Sequence, residues 1–257
     1  MCKPDRERGN HGHGYNRVDK WCRRGIGQGL AATVPWLDAR IINLSRRQHP
    51  QLETVLFDLT EPESWTGVQK SFETELHDFK GKRAIFIHNA FVAGRPAFVA
   101  ESNQADSHSE LIANGMAPLV LGNMFLRAIQ PGYESGLVLM SSAAARSPFE
   151  GHAIYCAAKA GVEMWVRVAR RELKRRGRQT WVVAIRPGFV DTPATRFEST
   201  MPAEIYPIAT QMARQLATGE GVMTPEEAGR GIWAMLPPKG ESSVLLQGEM
   251  VVDSTGA

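Results

Sequence analysis

Cysteine, charge of a single sign and long apolar runs are all scarce in this 257-residue chain. No stretch reads as an apolar segment with the length of a membrane span, and the N-terminus lacks the apolar core of a secretory leader. A membrane partner is therefore not expected. The three cysteines, Cys2, Cys22 and Cys156, are odd in number and stand at no ligand-like spacing. That fits a reducing compartment, with the cytoplasm as the expected location, and gives no cysteine metal site. The net charge is only +3, and most of the excess lies in residues 167–178, with Arg170, Arg171, Lys174, Arg175 and Arg176 at helical spacings. No aromatic residues interleave on that face. It reads as the solvated end of a helix, where cations complement the dipole, and no nucleic-acid partner is expected.

Apolar strand character is missing from residues 1–23 as well. His11 and His13 fall there in a glycine-rich setting, which reads as a tail and implies no metal site. What remains is ordinary for a globular protein, with 43% apolar and 22% charged residues and enough length for a large core. The expected organisation is an atypical segment over 1–23 and one domain over 24–257.

From Arg24-Gly25-Ile26-Gly27 the chain alternates. A helical pattern runs through Leu30, Ala31 and Val34. Strand-like stretches cover 39–44, 54–59, 83–88, 137–140, 181–185 and 243–252, and helical periodicity covers 63–79, 111–129, the segment after Ile154 and 225–235. A mixed segment of about 192–224 reads as a substrate loop. Strands alternating with helices predict a doubly wound α/β domain of Rossmann type with a mainly parallel sheet and its ligand outside the carboxyl ends of the strands. Those ends carry Ser45-Arg46-Arg47, Asp58, Asn89-Ala90, Ser141-Ser142 and Pro187-Gly188.

Tyr155 and Lys159 are four apart and share one face of a helix. An ammonium beside a phenol favours the phenolate and should lower the tyrosine pKa from about 10. A serine hydroxyl delivered by the preceding strand end could hydrogen-bond a carbonyl or alkoxide. This is an acid/base device for redox chemistry at a carbonyl, given a hydride carrier beside it. The substrate class is then a small-molecule carbonyl or alcohol.

The ordered set G-I-G at 25–27, D-L at 58, N-A at 89, Asn114, Ser142, Y-C-A-A-K, P-G-F-V-D-T and a closing V-V-D resembles the classical short-chain dehydrogenase/reductase family over residues 24–256. The resemblance implies Tyr155 as general acid, Lys159 as its modulator and ribose ligand, and Ser142 as the donor to the substrate oxygen. Ser141 competes for that last role, and the thirteen-residue spacing to the tyrosine favours Ser142. Asn114 would complete a tetrad through a water relay. Pro118, lacking an N–H, leaves the Asn114 carbonyl without its helical partner, as such a relay needs.

For the cofactor, the resemblance implies Arg24, Gly25, Ile26 and Gly27 at the pyrophosphate, Asp58 and Leu59 at the adenine and Asn89-Ala90 along the adenosine. Pro187, Gly188, Val190 and Thr192 would border the nicotinamide. Ser45 followed by Arg46 stands where a carboxylate would select NAD, so NADP is expected. The segments around Y-C-A-A-K, P-G-F-V-D-T and M-T-P-E-E-A-G look like the sepiapterin reductase and benzil reductase branch, which implies ketones or vicinal dicarbonyls. Phe149, His152, Phe189 and residues 197–212 would line an apolar pocket without a charged anchor. Small residues at Ala157, Ala158, Ala160 and Gly161 would let protomers pack along the Tyr155 helix as a homodimer or homotetramer.

One part of the pattern fails. The family's T-G-x-x-x-G-I-G would put glycine at Trp21 and threonine at Lys20, after an apolar strand that 1–23 cannot supply. Either that segment is recorded out of frame up to about Arg24, or the chain is a member with an impaired dinucleotide site. Loss of that central parallel strand would leave its neighbours unpaired and a core face exposed.

Overall fold

The apolar run after Glu134 forms the middle of the molecule. The computed structural model describes residues 25–248. The 1–23 segment, Arg24, and the end of the expected last strand with its V-V-D motif lie outside the described residues. In chain order the elements are α1 (Gly25–Ala32), β1 (Ile42–Ser45), β2 (Glu53–Leu56), α2 (Trp65–His77) and β3 (Arg83–His88). Next come α3 (Gln104–Leu111), α4 (Ala117–Ala128), β4 (Glu134–Met140), α5 (Ala153–Arg175) and β5 (Trp181–Arg186). The chain continues through β6 (Phe189–Val190), α6 (Pro193–Glu198), α7 (Ile208–Thr218), β7 (Val222–Met223), α8 (Pro225–Ala234) and β8 (Val244–Leu246).

This is the expected doubly wound α/β fold. Strands β3, β4, β5 and β8 form a parallel sheet in that order, with Phe86 opposite Leu137 and Leu139 opposite Ala184. Alternation along β4 divides its side chains between two layers, as period 2 requires. Leu137 and Leu139 join Phe86, Val182, Ala184 and residues of α2, α4 and α5 in one cluster. Val138 and Met140 join Val183, Ile185, Leu30 and Ile232 on the face covered by α1 and α8. Both faces are thus buried, and each such aliphatic side chain contributes roughly 1.5–3 kcal/mol.

Helices α1 and α8 meet through glycine. A Cβ on Gly29 would lie 1.7 Å from the Pro225 carbonyl oxygen, and one on Gly229 would lie 2.4 Å from that of Gly29. The Trp233 indole N–H donates to Leu30 O at 2.9 Å and closes the same contact.

Among the described residues β1 and β2 stand apart from the four-stranded sheet. Strands β1 and β2 pair only with each other among the described residues, in parallel. No described strand stands between β1 and β3. The two parts are joined by packing, since Leu44, Val55 and Phe57 share the cluster of Phe86 and Leu139.

The helix expected over 111–129 begins earlier, at Gln104, where Asn103 accepts hydrogen bonds from the Ala105 and Asp106 N–H groups. It widens by one residue per turn over Ile112–Met116 and ends that turn just before Pro118. Contrary to expectation, Gln104–Ala128 is long and apolar enough to cross a membrane by length and composition. Its Ala113, Ala117, Leu121 and Phe125 are spent on the main core. The 192–224 segment, expected as a mixed loop, holds α6, α7 and β7. The β6–β7 pair sets Phe189 opposite Val222 and Val190 opposite Met223.

Candidate active site

Strand β4 delivers two hydroxyls to one end of the sheet, and the structure gives them different tasks. The Ser141 N–H continues the ladder by donating to Ile185 O at 2.7 Å. Its hydroxyl donates to Glu163 Oε1 at 2.8 Å, beneath the site. That carboxylate also accepts both arms of the Arg186 guanidinium, at 2.7 and 2.8 Å. Ser142 turns the chain with extended backbone and opens a short 3-10 turn over Ala143–Ala145, accepting the Ala144 N–H at 3.2 Å. Its hydroxyl acts on the Tyr155 phenol, favouring the charged form. The geometry therefore separates the two serines that the sequence left in competition.

Helix α5 carries Tyr155 half-buried and Lys159 buried, one turn apart. The Lys159 ammonium lies 5.4 Å from the Tyr155 ring centre and donates to Met140 O at 2.8 Å. Burial pulls Lys159 down to about 8. The phenol moves the opposite way from the sequence expectation. Burial and the neighbouring Glu198 carboxyl push Tyr155 above its ordinary value and outweigh the Ser142 hydrogen bond. The lysine does not reverse this, because its charge is turned to the end of β4 and is itself opposed by burial. At neutral pH the phenol keeps its proton, which is the form that can donate to a carbonyl oxygen. Two buried histidines, His88 and His152, are held neutral by burial at about 3 and about 4.

A cavity of about 570 Å³ opens in front of these groups. Of the residues expected in the site, Gly25, Ile26, Asn89, Ser142, Tyr155, Lys159, Pro187, Gly188, Val190 and Thr192 all line it. Ser45, Arg46, Asp58, Leu59 and Ala90 gather instead around a small neighbouring recess of about 20 Å³. There Arg46 Nη1 stands 3.4 Å from Asp58 Oδ2. Burial works against the Asp58 charge, but two hydrogen bonds from Thr60 and the Arg46 charge prevail and hold it below the usual carboxylate value. Gly27 is buried within α1 and lines neither space. The Asn114 side chain is engaged with the loop after β3, donating to Val92 O and accepting from Val92 N–H, both at 2.8 Å. Asn114, expected as the fourth member of the tetrad, does not itself line the cavity.

The cavity wall departs from the expected apolar lining. Glu198, Arg146 and Arg186 are on it beside Phe91, Phe189 and Met212. Phe149 and His152 stand one layer behind. The His152 ring stacks on Tyr206 with centres 4.3 Å apart. The one readable signal for Glu198 was the helix start at Thr192-Pro193. The Thr192 hydroxyl accepts from Thr195 N–H, Pro193 takes the first helical position, and the helix ends on Glu198.

The described residues fit a nicotinamide dinucleotide on the reactive side. Gly25 has φ +67°, and a Cβ there would come within 3.3 Å of the Thr192 methyl group, narrowing the cavity where α1 begins. Gly188 has φ +76°, and a Cβ there would meet Gln247 O at 2.4 Å. Both stretches border the cavity in a backbone conformation that favours glycine. Lys159, with one of its three donors on Met140 O, has others for a ribose hydroxyl.

An acid, a hydroxyl donor and an amine converge on one wall at the carboxyl ends of a parallel sheet, a layout that defines a dinucleotide-dependent oxidoreductase. A family model described as short chain dehydrogenase matches residues 21–203, and the chain belongs to the short chain dehydrogenase family. It is 25% identical over 248 residues to a benzil reductase ((S)-benzoin forming) of Bacillus cereus, covering 89% of this chain and 94% of that protein. That similarity agrees with the branch its motifs resemble. The fold is similar to a short chain dehydrogenase from Burkholderia cenocepacia in complex with NADP, with TM-score 0.67 and 19% identity over 90% of this chain and 86% of that one. A short chain dehydrogenase/reductase of Saccharomyces cerevisiae gives TM-score 0.73 and 19% identity, over 89% and 94%.

Proposed function

We propose that the chain is an NADP-dependent carbonyl reductase acting on ketones or vicinal dicarbonyls. The observation that carries this is the convergence of Ser142, Tyr155 and Lys159 on the wall that also holds Pro187, Gly188 and Thr192. A nicotinamide dinucleotide held there would supply the hydride for the carbonyl carbon. Ser142 donates to the carbonyl oxygen as charge develops on it. Tyr155 gives up its proton to that oxygen. Lys159 holds a positive charge beside the phenolate so formed, and the Asn114 carbonyl holds the water through which the proton is replaced. Arg46 at the ribose end supports NADP over NAD, because a guanidinium suits a 2′-phosphate. The cytoplasm, and a homodimer or homotetramer packed along α5, belong to the same reading.

Titration with NADPH and NADH, followed by NADPH oxidation with a diketone panel, tests it. Turnover should fall by about 10²–10⁴ in Tyr155→Phe, the worth of a positioned acid. A preference for NADH would refute the role given to Arg46. A second reading is favoured by Trp21 and Lys20 in the glycine-turn slots and by the divided sheet: a nucleotide-binding or regulatory protein without turnover. No binding of either nucleotide supports that one.

A further inference from the structure

Helix α6 places a carboxyl group in the substrate end of the cavity. Glu198, its last residue, lines the same space as Tyr155, Phe91, Phe189 and Met212. Its field reaches the phenols of both Tyr155 and Tyr206. Behind it stands Glu110 of α3, whose carboxyl packs on Gly94 and whose Oε1 is buried without a hydrogen-bond partner. The groups whose fields couple to this pair are Tyr155 from α5, Tyr206 ahead of α7, and Asp106 one turn before Glu110. Arg146 lies along the same cavity, yet no cation holds Glu198 down: burial and Glu110 push it up to about 7. Glu110 is raised likewise, to about 7, by burial and Asp106. Among the described residues no hydrogen bond or ion pair engages the Glu198 carboxyl. The same cavity is also lined by Arg186, committed to Glu163, and by Lys159, which donates to Met140 O, so the Glu198 carboxyl is left available to a ligand.

We propose that Glu198 selects the substrate by charge: the cavity accepts neutral ketones, whose second oxygen meets the Glu198 carboxyl, and rejects ketones bearing a carboxylate or phosphate beside the carbonyl. This rests on the carbonyl-reductase reading of the site. A second anion brought against Glu198 in this half-closed wall is repelled, whereas a neutral dicarbonyl has an oxygen for the acid form to donate to. Protonation sets the strength of the effect. Below pH about 7 the group is mainly the acid and donates; above it the carboxylate accepts only and repels anions more strongly.

The test compares 1-phenylpropane-1,2-dione with benzoylformate, which share the aromatic ketone and differ in a methyl ketone against a carboxylate. NADPH oxidation by the full chain should favour the dione in kcat/KM by on the order of a hundredfold near pH 8, with the ratio narrowing towards pH 6. Glu198→Gln, with Glu198→Ala as a second variant, should raise benzoylformate turnover about tenfold or more and flatten the pH dependence. An unchanged ratio in both variants overturns the proposal, as does wild-type protein that uses the two ketones equally well. If wild type turns over neither, the carbonyl-reductase reading fails instead, and saturation-transfer NMR with the same two compounds decides on Glu198. Weaker binding of benzoylformate, relieved in Glu198→Gln, supports the charge selection. Equal affinities, or no binding of either, overturn it.

Discussion

Tyr155 stands between carboxyl groups on one side and an amine on the other, and their balance fixes the protonation state from which the site works. Burial and Glu198 keep the phenol protonated, while Lys159 sits at about 8. Because the lysine value is depressed from its ordinary 10.5, its charge is present below about pH 8 and lost above it. Reduction should therefore fall as pH rises through about 8, in a kcat/KM profile taken with a substrate that does not itself titrate. The paired serines permit a sharper separation. Ser141→Ala removes a hydrogen bond to a buried carboxylate and should cost about 1.5–3 kcal/mol in a urea melt, with the main loss in stability. Ser142→Ala removes the donor on the cavity wall and should cost about 10²–10³ in kcat with a smaller change in stability.

At the scale of the element, α1 and α8 meet so closely that no Cβ fits between them at Gly29 or Gly229. Gly29→Ala drives a methyl group into the Pro225 carbonyl, so α1 has to move. An overpacking loss of at least about 1–3 kcal/mol is expected in thermal or urea unfolding. Since α1 brings Gly25 and Ile26 to the cavity, nucleotide affinity should weaken together with stability. The elements that could be read from the sequence are those whose pattern is local. The alternation of 83–88 and the apolar run at 137–140 gave β3 and β4, and the four-residue spacing of Tyr155 and Lys159 gave the functional face of α5. Strands β6 and β7 are two residues each, too short for any periodicity to exist, and the widened turn at Ile112–Met116 leaves the apolar pattern almost intact. Glu198 escaped for a different reason. Its role depends on where α6 returns to the wall, a tertiary fact, and the direction of the Tyr155 shift depends on it in turn.

For the whole molecule, the division of the sheet matters most. Strands β1 and β2 are four residues each, β2 exposed at both ends, and among the described residues they are tied to the larger sheet through side chains and not through a ladder. Two-stranded units are marginal alone and open at low free-energy cost. Backbone amides of Leu44 and Val55 should exchange with deuterium much faster than those of Leu137 to Met140, under conditions where the four-stranded sheet stays closed. Equal protection in the two regions would mean that β1 gains a partner in solution from outside the described residues. A gap there is what the sequence leads one to expect, since 1–23 holds no apolar run, and among the described residues it lies on the part of the fold that carries Arg46 and Asp58.

The β6–β7 pair has a consequence for engineering. It fastens Val190 to Met223, so the chain that leaves the cavity at Asp191 returns beside its point of departure, where the Asp191 N–H donates to Met223 O at 2.9 Å. Everything between, including α6, α7 and Glu198, is an excursion with a stapled neck. Such an excursion can be exchanged as a cassette, since its ends are held by backbone hydrogen bonds that any side chains permit. A chimera carrying another family member's 192–221 segment should keep the melting temperature of the four-stranded sheet while taking on the donor's ketone preference. Loss of cooperative unfolding in the chimera would show that the neck does not isolate the two.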